Sequence, residues 1–95
     1  MSLYKEELRD SILTYLQSEF PDFAIEEQQE QDSYCFSLVA GSNTHFLRVM
    51  YSATVDVSKD DLITQLEQYS VASTMRGLGE FPVVVTEQGC IFGAP

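Results

Sequence analysis

Basic residues are scarce. Five Lys and Arg stand against fifteen Asp and Glu, which gives the 95 residues a formal charge of −10 and a pI near 4.1. Contact with nucleic-acid phosphates needs clustered Lys and Arg, so direct binding of DNA or RNA is not expected, nor is adhesion to an anionic membrane surface. No apolar run approaches the ~20 residues that span a bilayer. The opening stretch, from Met1 to Glu7, is charged and helix-like and lacks the basic-then-apolar profile of a secretory leader, so a cytoplasmic location is expected. Cysteine occurs twice, at Cys35 and Cys90, too seldom for a disulfide framework. Both fall in apolar, strand-like surroundings where a reduced thiol packs as a small core residue. What the chain does have is a 44% hydrophobic content, enough for one core and too much for disorder, in a length that suits a single domain over residues 1–95.

Periodicity divides that domain into elements. Leu8, Ile12, Tyr15 and Leu16 recur at i, i+4, i+7 and i+8 and predict an amphipathic helix over 3–19, its stripe widened by Leu13 and Phe20. Ser2 is the expected N-cap, Glu6 and Glu7 suit the positive end of the helix dipole, and Pro21 closes the helix. Phe23 and Ile25 mark a strand over 23–29. A polar turn at Glu30, Gln31 and Asp32 leads to a strand over 34–40, and Gly41, Ser42 and Asn43 reverse the chain into a third over 45–51. The expected register sets Leu38 opposite Leu47, Phe36 opposite Val49 and Tyr34 opposite Tyr51, with Ile25 beside Phe36 and Phe23 beside Leu38. One face of this meander is then consistently apolar.

A second helix begins with the S-x-x-D capping box of Ser58 and Asp61, flanked by Val57 and Leu62 at the hydrophobic-staple positions. Leu62, Ile63, Leu66, Tyr69 and Ser70 form its buried stripe. Gly77 is the expected C′ residue after Arg76, whose charge suits the negative helix end. Val83-Val84-Val85, inside a strand over 81–86, is an uninterrupted β-branched run of the kind covered on both faces. Gln88-Gly89 then turns the chain into a short last strand over 90–92. The fold class is α+β in the order α-β-β-β-α-β-β, an antiparallel sheet with both helices packed on one face. The other face is expected to stay open and to carry Val39, Phe46 and Met50 beside Cys35, Ser37 and Arg48. A contiguous apolar patch of that kind marks a partner surface, unless the valine-rich strand or the tail covers it.

Catalytic chemistry has little to work with. His45 is the only histidine, so any Ser-His-Asp, Cys-His or His-metal scheme passes through it. It opens a strand after a turn, where an exposed imidazole needs no role, and no G-x-S-x-G elbow is present. Cys35 lies several residues away on the paired strand, which leaves Cys90 for a Cys-His dyad. Metal spacings (C-x-x-C, H-x-x-x-H, a calcium loop) are absent, and capping explains Asp60 and Asp61. Glu26 and Glu27 with Glu30 and Asp32 read as a solvated acidic hairpin before they read as a weak divalent site. Gly77-Leu78-Gly79-Glu80 has no lysine after it and leads into a strand, unlike a phosphate loop. No enzyme, cofactor, metal or small-molecule substrate is expected.

The acidic run from Glu19 through Asp22, Glu26, Glu27 and Glu30 to Asp32 contains no basic residue. It keeps a sheet edge soluble, steers a basic protein partner, or imitates nucleic-acid phosphates and so inhibits a basic enzyme. Sign complementarity alone suffices for partnership, which ranks it above mimicry. The order α-β-β-β-α is shared with double-stranded-RNA-binding domains, but the basic contacts at their second helix are here Ser58, Lys59, Asp60 and Asp61. The longer order is similar to that of small acidic secretion chaperones, and that resemblance implies a dimer. Those proteins carry a further C-terminal helix, for which the residues up to Pro95 leave no room. The expectation is therefore a non-catalytic domain that binds a protein, foreign or a second copy as a homodimer. Its contact surface is Val39, Phe46, Arg48 and Met50, bordered by Glu26, Glu27 and Glu30.

Overall fold

The computed structural model describes residues 5–79, 82–86 and 89–92. Helix α1 spans Glu6–Glu19 and buries Leu8, Ile12, Tyr15 and Leu16, the four residues whose spacing predicts it. Its cap residue is Lys5, which contributes no side-chain hydrogen bond. Instead the Lys5 backbone N–H donates to the Tyr34 hydroxyl at 2.9 Å, so a core tyrosine anchors the helix entry. Ser2, the expected cap, and residues 3 and 4 lie outside the described residues.

Three strands follow: β1 (Ala24–Gln29), β2 (Ser33–Ala40) and β3 (Asn43–Met50). Both hairpins differ from the expected register by two residues. Tyr34 pairs with Val49, Phe36 with Leu47 and Leu38 with His45, while Ile25 pairs with Leu38. In the second hairpin the turn chemistry is the reason. Gly41 takes φ 61°, so Gly41-Ser42 alone makes the two-residue connection between the paired Ala40 and Asn43, and Asn43 joins the strand. An even shift preserves faces, so the expected apolar side survives.

After a 3₁₀ turn at Tyr51–Ala53 comes a larger departure. The single expected helix is two: α2 (Lys59–Gln68) and α3 (Val71–Leu78). Ser58 caps α2, its hydroxyl accepting from the Asp61 N–H at 3.2 Å. The break falls at Ser70, a non-glycine residue in left-handed geometry with φ 52° and ψ 46°. Gly77 lies inside α3, and Gly79, at φ 63°, ends it. At ~100° per residue, Val71 in a continuous helix would point about 180° away from Leu62. Breaking the helix turns both stripes inward: Leu62, Leu66, Val71, Ala72 and Met75 are all buried, whereas Ser70 is exposed.

The sheet is completed by β4 (Val83–Thr86) and β5 (Gly89–Phe92), and its five strands lie in chain order. It is mixed, not antiparallel as expected: β4 runs parallel to β3, with Leu47 beside Val83 and Val49 beside Val85. The two helices between β3 and β4 carry the chain back to the end where β3 began, and a parallel strand needs such a crossover. Residue 81, expected in the fourth strand, and residue 88, expected in the turn, lie outside the described residues, and Gly89, also expected in the turn, pairs with Thr86 in β5. Val83 and Val85 are fully buried but Val84 is only half-buried, so this strand is covered on one face rather than both. One cluster joins the helices to that face through Tyr34, Phe36, Leu38, Leu47, Val49, Val83 and Val85.

Candidate partner-binding face

Strand alternation sends every second side chain to the side away from the helices. There β2 places Cys35, Ser37 and Val39, β3 places Phe46, Arg48 and Met50, and β4 adds Val84. Val39 is 42% exposed and Phe46 38%, two of the three large apolar residues left in solvent among those described. They are diagonal neighbours, since Val39 pairs with Thr44 and Phe46 with Ser37. Arg48 is exposed two residues along, with half-buried Met50 beyond it, so a cation divides the patch. Cys35 and Ser37 are buried on this same face, their short side chains lying between the longer cross-strand partners Arg48 and Phe46.

The three carboxylates expected at the border separate. Glu26 pairs with Ser37 and stands exposed on the open face. Glu27 points to the helix side, where its carboxylate is 3.6 Å from the Arg9 guanidinium. Glu30 is exposed in the turn, and its carbonyl accepts from the Tyr51 hydroxyl at 3.1 Å. With Gln31 and Asp32 it lines an open cleft that reaches Arg48. Further carboxylates gather on the opposite side, where Glu7, Asp10, Glu19, Asp60 and Glu67 line an open groove between α1 and α2.

His45 is not the exposed imidazole its position suggested. It is 7% exposed, with its ring 5.5 Å from Phe20 and 5.3 Å from Phe23. Nδ1 lies 2.9 Å from the Gly79 carbonyl oxygen, which can only accept, so Nδ1 carries the hydrogen. The residue closes the C-terminal end of α3 against the sheet. Cys35 faces the other side of the sheet, since it pairs with Arg48 while His45 pairs with Leu38. The Cys35 thiol is 3.2 Å from the Ser33 hydroxyl. The Cys90 side chain lies outside the described residues. Among the described residues, no three His, Cys, Asp or Glu converge as a metal site, and no helix is long and apolar enough to cross a membrane.

Tyr15 does more than fill the buried stripe of α1. Its hydroxyl bridges the α2–α3 break, accepting from the Ala72 N–H at 3.2 Å and donating to the Leu66 carbonyl at 3.5 Å. Burial pushes its pKa above the ordinary 10.0, with Glu19 and Glu67 adding to the rise against the Ala72 hydrogen bond and Arg76. Arg76 in turn donates to the Glu19 carbonyl and lies 4.7 Å over the Phe20 ring, fastening α3 to the end of α1. No protein-family model matches the chain, and no curated protein or solved structure shows significant similarity to it.

Proposed function

We propose that this is a non-catalytic, intracellular protein-interaction domain whose contact surface is the uncovered side of its sheet. One observation carries the reading: Phe46 and Val39 stand in solvent side by side on a regular strand face that the helices leave bare. An aromatic anchor with an adjoining aliphatic residue and an arginine has the composition of an interface centre, while the rim supplies polar groups. Glu26 on this face and Glu30 at its edge set orientation and approach rate rather than most of the affinity. A photo-crosslinking amino acid at position 46, expressed in the native cell, is expected to capture a protein. The same group at exposed Ser52 serves as control. Absence of any adduct specific to position 46 overturns the reading.

A second reading, a nucleic-acid mimic that inhibits a basic enzyme, draws on the carboxylates along the α1–α2 groove. It predicts binding that weakens steeply with salt and that survives changes at Phe46.

A further inference from the structure

The strands of this chain hold few of its carboxylates. Of fifteen Asp and Glu, the strands hold only Glu26 and Glu27, and Glu27 points to the helix side. On its strands the open face therefore carries one carboxylate, Glu26, and one cation, Arg48, with Glu30 and Asp32 in the turn at the edge beside Arg48. A basic partner would be drawn to the rest of the surface. Strands whose charges balance repel a strongly acidic partner least. Resting on the reading above, we infer that the occupant is a second copy of this chain, docked face to face about a two-fold axis.

The charge placement supports a self-complementary contact. Among the described residues neither Glu26 nor Arg48 has an ion pair. They lie two strands and one two-residue step apart, roughly 12 Å between backbone positions on an ideal pleat. In a two-fold contact each pairing between two different residues occurs twice, so each Arg48 can pair with the partner's Glu26. On that same ideal pleat, the axis that makes this pairing passes within about 2 Å of the Phe46 position. The two Phe46 rings then face each other near the axis, each beside the other copy's Val39, and buried Cys35 and Ser37 leave the centre of the face low. One arrangement thus satisfies both charges and covers both exposed apolar residues.

Size places this contact at the small end of specific interfaces. The five strands span a projected area of about 500 Å², taking ~3.4 Å per residue and ~4.8 Å between strands. Two copies together bury about 1,000 Å², the lower bound for a specific interface. The dimer is accordingly concentration-dependent. Added salt should strengthen it, because screening relieves repulsion between two chains of charge −10 more than it weakens two rim ion pairs.

Sedimentation equilibrium of the full chain, at low and high salt, tests this. The expected result is a monomer–dimer equilibrium that tightens with salt and is weakened at least tenfold by Phe46→Asp. Arg48→Glu and Glu26→Arg should each weaken it about fivefold, and the double exchange should restore it, which no merely structural role predicts. Circular dichroism checks that each variant is folded. A wild-type chain monomeric at every concentration and salt overturns the self-docking inference. So does a dimer indifferent to Phe46→Asp and to both charge reversals. Photo-crosslinking from position 46 separates the two levels: an adduct with a different protein leaves the binding face standing without self-docking, and no adduct removes both.

Discussion

The Tyr15 hydroxyl sits 3.2 Å from the backbone nitrogen of Ala72, across 57 residues of chain. A side chain in the middle of α1 thereby caps the start of α3, whose own N-cap residue, Ser70, offers no side-chain hydrogen bond. Through its longer contact to the Leu66 carbonyl, the same hydroxyl also serves the end of α2. Three helices are held at one oxygen.

Tyr15→Phe keeps the ring and strands a buried amide. A loss of about 1–3 kcal/mol in unfolding free energy is expected, read from urea denaturation. A change below about 0.5 kcal/mol would mean that packing alone holds the break.

Alkaline pH gives the same contact a second test. Because the folded-state pKa of Tyr15 is raised, the folded chain keeps this proton after the unfolded chain has begun to lose it near the ordinary 10.0. The corresponding stability is fully present below that pH and is lost as the pH rises through the folded value. Wild type should therefore lose stability more steeply than Tyr15→Phe above pH 10. Parallel curves for the two proteins would remove Tyr15 from that dependence.

Ser70 occupies left-handed space at a cost that glycine avoids. Ser70→Gly should raise stability by roughly 0.5–1 kcal/mol, after the greater freedom of glycine in the unfolded chain offsets part of the relief. Thermal melting shows the direction. Destabilisation would mean that the serine side chain contributes more than its backbone costs.

Phe46 and Leu47 are sequence neighbours on opposite faces, and their substitution should separate binding from folding. Leu47→Ala, at a position 1% exposed, is expected to cost about 2–5 kcal/mol. Phe46→Asp should cost less than about 1 kcal/mol and should weaken association at least tenfold. Unfolding of Phe46→Asp would assign that ring to the core and remove the proposed surface.

His45→Ala should destabilise by about 2–3 kcal/mol through lost packing against Phe20 and Phe23 and an unpaired Gly79 carbonyl. Association through the open face should be unchanged. A stable His45→Ala with altered binding would place the imidazole in the interface.

Local chemistry is legible in this chain wherever one segment decides the outcome. The spacing of Leu8, Ile12, Tyr15 and Leu16 determines which side of α1 is buried, and Ser58 determines where α2 starts. Strand alternation determines that Phe36, Leu38, Leu47 and Val49 share the core face and that Val39, Phe46 and Arg48 share the other. That assignment survives a two-residue error in register because side chains repeat every second residue. The break at Ser70 was also within reach, since Val71, Ala72 and Met75 are apolar on the wrong side of a continuous helix. Tertiary structure decided the rest. The parallel pairing of β4 with β3 depends on where a two-helix crossover returns the chain, and half-exposure of Val84 follows from its place in the sheet. The burial of His45 needs Phe20, Phe23 and Gly79, brought to it from two other parts of the chain. Such contacts join residues distant in sequence, and only packing, which acts on all of them at once, selects them.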